Sequence, residues 1–369
     1  MAIALVTNYL APYRIPLYER LARSHQIEVL LSGGGDRYVP PWFRDLDAQL
    51  VKAPFPTRRL DGVRAAFAAG RTHDALIAPV AGRVIPPAYA GARAGRKPFV
   101  LWASVWAQPR SAAHALALPA TRHLYRHADA VVAYGEHVRR FVADIRGGDA
   151  EVFIAPQAVE AELFERQVSA AEMDEFRAAH DLGSGPVVLY VGRLVSEKGI
   201  EVLLEAWRMA SAGATLLLVG DGPLARSARD VRGARLIGSI PREQLPVAYA
   251  ACLFALLPSI PTPRFLEPWG LVCNEAMHQG RPVVATDSVG AVAGGLVRDG
   301  ESGLVVRSGD AAALADAIGL LLRDGALRAR LGSGARAAVA PYTYEAAAEG
   351  FERALATAFG RAPAPAHRS

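Results

Sequence analysis

The sequence predicts an α/β protein with two doubly wound, Rossmann-like domains that face each other across a cleft. Short β-branched or aliphatic segments alternate with longer amphipathic stretches, as in βα units around parallel sheets. This alternation lapses once near the middle of the chain and then restarts. The length of 369 residues exceeds what one core usually supports, and a hydrophobic fraction of 51% is enough for two cores.

Residues 1–165 are expected to form the N-terminal Rossmann-like domain. Helical patterns separate its predicted strands, which are Ile3–Val6, Ile27–Leu31, Ala75–Ala78, Phe99–Trp102, Ala130–Ala133 and Val152–Ile154. An acidic amphipathic stretch and the breaker cluster Gly183-Ser184-Gly185-Pro186 follow. We therefore interpret residues 166–186 as a linker.

Residues 187–342 are expected to form the second Rossmann-like domain. Its predicted strands are Val187–Val191, Leu216–Val219, Arg235–Ile237, Phe254–Leu257, Val283–Ala285 and Leu304–Val306. Residues 343–369 are predicted to be a helix that packs back on the N-terminal domain, followed by a frayed tail. Because ligands of open α/β folds bind at the carboxyl ends of the strands, we expect the site in the cleft between the domains.

Composition narrows the class of protein. Charged residues make up 21% with both signs interspersed, which argues against disorder, and the two cysteines lie in apolar runs without metal-ligand spacing. The N-terminus has no basic region ahead of its apolar stretch, so a cytoplasmic protein is expected. The net charge of +5 fits either a solvated basic surface or peripheral attraction to an anionic membrane. No RNA-binding motif is present, so nucleic acid is not an expected partner.

The first informative stretch is VVLYVGRLVSEKGI, residues 187–200. A buried strand is predicted to end at Gly192, and Arg193 follows at its carboxyl edge. Lys198 comes just before a predicted helix that opens at Gly199. Arg by forked hydrogen bonds and Lys as a point charge can neutralise a diphosphate without a metal. Two surface cations with no ligand are the alternative that this segment alone leaves open.

The second stretch is FLEPWGLVCNEAMHQG, residues 265–280. Glu267 lies in a Pro-containing loop, and a buried helix is predicted to begin near Trp269 or Gly270. Its free N–H groups form a ready anion site. Glu275 follows Glu267 at a distance of about 12 Å if the rise is helical, which suits hydroxyls at two ends of one extended ligand. Glu275 alone also fits a carboxylate favoured by the helix dipole.

The segments VGRLVSEKG, LLVGDGPL, LIGSIP, AYAACLFALLPS and FLEPWGLVCNEAMHQGRPVVATDSVG occur in this order. Through them the chain resembles the retaining GT-B glycosyltransferases of the type called glycosyl transferases group 1. The resemblance implies a hexosyltransferase in glycan, glycolipid or natural-product biosynthesis that uses a nucleotide-diphosphate sugar as donor substrate and no cofactor.

The resemblance also implies a role for each matching residue. Arg193 and Lys198 would bind the donor diphosphate, Glu267 would contact the transferred sugar and Glu275 would hold the ribose. The remaining donor-site positions would be Gly192, Ile240 in the turn against the base, and the backbone of Trp269, Gly270 and Leu271. The acceptor, which is a glycan, a lipid-linked molecule or a small molecule, stays open.

The N-terminal half departs from the family pattern, since WASVWAQPR stands where members often carry a histidine. Tyr13 and Arg14, in NYLAPYR, are candidates to line the acceptor side or approach the diphosphate, although Tyr13 also fits the packed start of a helix. Ser104 is a further acceptor-side candidate. No DxD pair follows an N-terminal strand, so a metal is not expected. An NDP-sugar 2-epimerase and a non-catalytic partner subunit that binds nucleotide are the alternatives.

Overall fold

The computed structural model describes residues 1–33, 53–80, 82–108, 110–210 and 213–361. The chain forms two compact units, one from Met1–Gln157 together with the residues from Tyr344 onward, and one from Ala158–Thr343. No helix in these described ranges combines the length and the apolarity needed to cross a membrane.

The first unit is built on a parallel sheet of seven described strands in the order β3-β2-β1-β4-β5-β6-β7. The strand order reverses between β1 and β4, as in a doubly wound fold. The strands are β1 Ala2–Thr7, β2 Gln26–Leu31, β3 Thr57–Arg59, β4 Ala75–Pro79, β5 Phe99–Ala103, β6 Ala130–Ala133 and β7 Val152–Ile154.

Helices alternate with these strands: α1 Ile15–Ser24, α2 Gly62–Thr72, α3 Ile85–Ala94, α4 Ala112–His127 and α5 Glu136–Arg146. A C-terminal helix, Tyr344–Arg361, completes the unit. The Phe351 ring of that helix lies 5.1 Å from the Trp102 ring. Gly350 lies so close to β7 that an added Cβ would come within 2.3 Å of the Ile154 carbonyl oxygen. The C-terminal helix is therefore part of the core of the first unit.

The second unit has a parallel sheet of six strands in the order β10-β9-β8-β11-β12-β13. Its hydrophobic core includes the buried side chains of Tyr190, Trp207 and Phe254. The strands are β8 Val187–Val191, β9 Thr215–Val219, β10 Ala234–Gly238, β11 Phe254–Leu257, β12 Val283–Thr286 and β13 Gly303–Val306. The helices are α6 Ala161–Phe164, α7 Ala170–Ala179, α8 Ile200–Ala210, α9 Ala225–Arg229, α10 Leu245–Ala250, α11 Leu271–His278, α12 Gly290–Ala293, α13 Ala311–Arg323 and α14 Gly325–Val339.

The segment before β8 differs from the predicted boundary at residue 165 and the predicted linker 166–186. The second unit already begins at Ala158. Phe164 is fully buried, its carbonyl oxygen accepts a 2.6 Å hydrogen bond from the Gln279 amide, and Glu165 contacts His278 at 2.8 Å. Because this segment buries an apolar side chain and makes specific polar contacts, it folds as part of the second unit.

The predicted α/β fold class is confirmed, because both sheets are parallel and alternate with helices. Each predicted strand has an observed counterpart. Strand β3 was missed, since Thr57–Arg59 is polar throughout. It pairs with β2 through its backbone and through an ion pair between Arg58 and Glu28 at 2.8 Å.

Candidate functional site

Most of the predicted site residues lie at the carboxyl edge of the second sheet. The strand order reverses there between β8 and β11, and such a switch point is where open α/β sheets bind ligands. The loop after β8 carries Arg193 and Lys198. The loop after β11 carries Glu267 and leads into α11. Neighbouring parallel strands thus bring together residues about 70 positions apart.

The loop after β8 is shaped by two glycines. Gly192 has a φ of 151°, and its amide donates to the Val219 carbonyl oxygen at 2.9 Å. Gly199 has a φ of 69°, and an added Cβ would lie 1.9 Å from the Pro258 carbonyl oxygen. Only glycine fits this left-handed position against β11. The close approach fixes where the preceding residue, Lys198, projects.

Contacts within its own loop position Arg193 at the end of β8. The hydroxyl of Tyr190 donates to the Arg193 carbonyl oxygen at 2.8 Å, and the guanidinium lies 3.4 Å from the Glu197 carboxylate. Both charged side chains are 23% exposed. The Arg193 guanidinium therefore stays near the surface of the loop with a carboxylate beside it.

Lys198 and Glu267 form an ion pair at the centre of the site. Their side chains are only 14% and 8% exposed. The hydroxyl of Ser259 donates to the same carboxylate oxygen at 2.9 Å, and Thr286 in turn donates to the Ser259 carbonyl oxygen at 2.5 Å. A buried ion pair needs such further hydrogen bonds to offset desolvation. The pair is thus held in one geometry by the ends of β11 and β12.

Helix α11 begins beside this pair. Its N-cap, Gly270, has φ 101° and ψ 71°, and an added Cβ would meet the Leu257 side chain at 2.4 Å. The buried indole of Trp269 donates to the Asn274 side chain at 2.7 Å, which ties the loop to the helix. The helix starts at Leu271, one or two residues after the predicted start. The first turn of a helix presents amides without intrahelical partners and a positive dipole end.

Glu275 lies in the second turn of α11. Its carboxylate accepts a 2.8 Å hydrogen bond from the hydroxyl of Tyr249. Burial raises the pKa of Glu275, while the Tyr249 hydrogen bond and the charge of Arg242 oppose the rise. Arg242 is itself paired with Glu160 at 2.5 Å. Glu275 is therefore a half-buried acceptor whose position is set by a neighbouring helix.

The pKa values of two buried groups, Cys273 and Tyr190, are affected by the charged residues of this region. Burial raises the pKa of the Cys273 thiol, with Glu267 raising it further, Lys198 lowering it and Glu275 raising it. Burial likewise raises the pKa of Tyr190, and Glu267 and Arg193 act on it with opposite signs. The predicted Arg193, Lys198, Glu267 and Glu275 thus lie within electrostatic range of one region.

Ile240 lies apart from this group. It follows β10, which is separated from β8 by β9, or about 10 Å across the sheet. The side chain is half-buried on the turn after Gly238. This placement is compatible with contact to the far end of an extended ligand, but the structure does not bring Ile240 to the Lys198–Glu267 pair.

The acceptor-side candidates lie at the carboxyl edge of the first sheet. The Arg14 guanidinium donates to Thr7 at 3.1 Å and to the Tyr134 hydroxyl at 2.8 Å, and it lies 4.5 Å from the Trp102 ring centroid. Burial alone would lower the pKa of Arg14, but the neighbouring tyrosines raise it overall.

Tyr13 precedes Arg14 in the sequence, and Ser104 lies at the same edge of the first sheet. Tyr13 belongs to a 3-10 turn, Pro12–Arg14, and its carbonyl oxygen accepts a 2.7 Å hydrogen bond from Tyr344. Ser104 directly follows β5 and is half-buried.

Sequence reasoning missed the residues that hold the site in place. These are Ser259, which bonds Glu267, Tyr249, which bonds Glu275, and Glu197, which pairs with Arg193. Ser259 stands two residues after the predicted strand Phe254–Leu257, so its position at a carboxyl edge was a usable signal. Tyr249 lies inside a buried helix and carries no such signal.

Comparison with known proteins finds a family match within the second unit. Residues 185–324 match the family described as glycosyl transferases group 1. An alpha-D-kanosaminyltransferase of Streptomyces kanamyceticus is 30% identical over 226 residues, 58% of this chain and 57% of the relative. A GDP-mannose-dependent alpha-(1-6)-phosphatidylinositol monomannoside mannosyltransferase of Mycolicibacterium smegmatis is 32% identical over 233 residues, 60% of each protein. The chain spans about three fifths of the length of these curated relatives.

Solved structures share the fold over nearly the whole chain. HepE from Anabaena, crystallised with UDP and glucose, has a TM-score of 0.78 at 19% identity, covering 97% of this chain and 100% of HepE. Sucrose-phosphate synthase from Thermosynechococcus elongatus has a TM-score of 0.72 at 24% identity, with 98% and 99% covered. These likenesses show the fold class that the sequence predicts. Residues 185–324 are thus similar to the glycosyl transferases group 1, and the two α/β units have the GT-B fold class of these solved structures.

Proposed function

We propose that the protein is a retaining glycosyltransferase that moves a sugar, of the hexose type, from a nucleotide-diphosphate sugar to an acceptor without a metal ion. One observation carries the proposal: the buried Lys198–Glu267 pair lies beside the first turn of α11, with Arg193 on the same loop as Lys198. The activities in the names of the two curated relatives, both sugar transferases, support it.

The chemistry of this arrangement is stabilisation of a leaving group. Breaking the bond between sugar and diphosphate builds negative charge on the departing phosphate. Arg193, Lys198 and the opening amides of α11 would stabilise that charge because they are held in place before the reaction begins. In the proposed role, the backbone of Gly192, Trp269, Gly270 and Leu271 lets the diphosphate approach closely.

Glu267 would bind the hydroxyls of the transferred sugar. Lys198 and Ser259 fix its carboxylate, so a hydroxyl donor meets an acceptor of known orientation. Glu275 would bind the ribose, held by Tyr249, and Ile240 would lie near the base. The acceptor would be bound by residues of the first unit, with Tyr13, Arg14 and Ser104 as candidates.

A donor screen followed by product analysis tests the proposal. We expect one nucleotide-diphosphate sugar to be slowly hydrolysed by the wild-type chain in the presence of EDTA, and to be consumed faster when a matching acceptor is added. NMR of the product should show the anomeric configuration of the donor. An inverted product would contradict the retaining assignment. Nucleotide binding without turnover for every donor and acceptor would contradict the transferase assignment.

A further inference from the structure

A second cationic site lies in the second unit, away from the residues assigned to the donor. A surface cavity of about 330 Å³ is lined by Arg281, Arg328 and Arg336 and by neutral residues that include Leu253, Gly280 and Pro282. None of these described lining residues is acidic. The volume is at the lower end of the range for small-molecule sites.

The position of the cavity separates it from the proposed donor site. Leu253 directly precedes β11, and Pro282 directly precedes β12, so the cavity lies at the amino-terminal edge of the sheet. The donor residues lie at the carboxyl edge. The two sites are also at opposite ends of α11, whose eight residues span about 12 Å.

The three guanidinium groups are held by backbone carbonyl oxygens. Arg281 donates to Tyr249 at 3.1 Å and to Ala250 at 2.5 Å, at the end of α10. Arg328 donates to the carbonyl oxygens of Leu321 and Leu322 in the last turn of α13. These contacts satisfy helix ends and also fix the planes of the guanidinium groups.

Arg336 is positioned by close backbone packing. It donates to the Gln279 carbonyl oxygen at 3.4 Å, just after α11. Gly280 has a φ of 64°, and an added Cβ would lie 2.3 Å from Nε of Arg336. Gly332 packs so tightly on the same loop that its Cβ would lie 2.4 Å from the Gly280 carbonyl oxygen. The glycines therefore make room for the guanidinium at this point.

The charges of the three arginines are not neutralised by the residues described. Their hydrogen bonds go to neutral carbonyl oxygens, and each guanidinium has five N–H donors, of which these bonds use only some. Carbonyl contacts alone explain one arginine at each helix end. They do not explain why three arginines line one cavity that has no carboxylate in its lining. A phosphate group has the charge and the acceptor oxygens that match.

We propose that Arg281, Arg328 and Arg336 form a second anion-binding site that takes a phosphate group, from either a soluble phosphate ester or a lipid headgroup. The site is independent of donor binding. Because the guanidinium groups of Arg281 and Arg328 are each held by two carbonyl oxygens, binding loses little of their side-chain entropy.

The test measures binding of inorganic phosphate to the full chain by calorimetry. Arg328→Gln/Arg336→Gln should weaken phosphate binding by about tenfold or more, since charge-assisted hydrogen bonds are lost. Arg336→Gln alone guards against misfolding, because this side chain is exposed and makes one long contact. The matched control is Arg330→Gln, on the same helix but bonded to the Gly300 carbonyl oxygen and absent from the cavity lining.

Two further arms separate the sources and the sites. If the phosphate comes from a lipid, vesicles of phosphatidylglycerol should retain the wild type and not the double variant, and vesicles of phosphatidylcholine should retain neither. Phosphate binding without retention on vesicles points to a soluble ester. Phosphate binding should persist in Arg193→Ala/Lys198→Ala. Equal losses in the Arg330 control, loss only in the Arg193/Lys198 variant, or no binding of phosphate or vesicles would overturn the proposal.

Discussion

The carboxyl edges of the two sheets both carry partly buried cations, but the positive charge is balanced differently at each edge. In the second unit Lys198 pairs with Glu267, and Ser259 adds a hydrogen bond to the carboxylate. In the first unit the Arg14 guanidinium contacts the hydroxyls of Thr7 and Tyr134 and the face of Trp102. Among the described residues, no carboxylate forms an ion pair with Arg14.

The two edges should therefore respond differently to the loss of a charged side chain. Removing one partner of a buried ion pair leaves an uncompensated charge, whereas removing a cation held by hydroxyls and a ring leaves only neutral groups. The second edge is thus organised around charge, as expected for binding a diphosphate. The first edge is organised around aromatic packing.

The largest expected effect is on catalysis. Lys198→Ala should lower kcat/KM for the donor by a factor of roughly 10² to 10³, since a preorganised group that stabilises developing charge is lost. Steady-state kinetics would measure this. The matched control is Lys97→Ala, which removes a lysine that pairs with Asp74 at 3.4 Å in the first unit. A comparable loss in the control would break the assignment of catalysis to the second edge.

The next effect is on stability. Lys198→Met should lower the free energy of unfolding by about 3 kcal/mol because the buried Glu267 carboxylate loses its cationic partner. Arg14→Met should cost about 1 kcal/mol or less, because its partners are neutral. Chemical denaturation followed by fluorescence would measure both.

The double variant Lys198→Met/Glu267→Gln serves as the control for that prediction. It should recover much of the lost stability, since no charge remains buried. Equal destabilisation by Lys198→Met and Arg14→Met would show that the two edges do not differ in the way described.

The third prediction concerns the stability cost of replacing one glycine in each unit by alanine. Gly147 and Gly199 both have left-handed backbones, with φ of 81° and 69°. An added Cβ at Gly147 meets nothing within 4 Å, while at Gly199 it lies 1.9 Å from the Pro258 carbonyl oxygen. Gly147→Ala should cost about 1 kcal/mol from backbone strain alone, and Gly199→Ala about 2 kcal/mol more. Similar melting temperatures for the two variants would contradict the close approach beside Lys198.

The smallest effect is a pH dependence in the second unit. Burial lowers the pKa of His278 below 6.5, with Glu165 opposing the shift. The unfolded state then binds more protons as the pH falls through 6.5, so the free energy of unfolding should decrease from that pH toward the lower folded pKa. His278→Gln should flatten this part of the curve in denaturation experiments at several pH values. An unchanged slope would remove His278 as the cause.

Strands and helices whose burial produces an apolar pattern in the sequence were predicted well. Strands such as Val187–Val191 were predicted in full, because both faces of a parallel strand are apolar. Strand β3, with the sequence Thr-Arg-Arg, has no apolar pattern, and only its pairing with β2 reveals it.

The sequence predicted where the candidate residues stand relative to strands and helices, but not which of them pair. Arg193 and Lys198 follow a recognisable strand, and Glu267 precedes a recognisable helix. That Lys198 contacts Glu267, 69 positions away, depends on β8 and β11 being neighbours in the sheet. Tyr249 reaches Glu275 because two buried helices pack together, which no local pattern encodes.

The central claim is that the edge carrying Arg193, Lys198 and the first turn of α11 binds a nucleoside diphosphate. Calorimetric titration of UDP and GDP into the wild type and into Arg193→Ala and Lys198→Ala tests it most directly. We expect one nucleotide to bind the wild type and each variant to bind it at least about tenfold more weakly, with the fold retained by circular dichroism. Equal affinity of all three proteins for that nucleotide would contradict the claim.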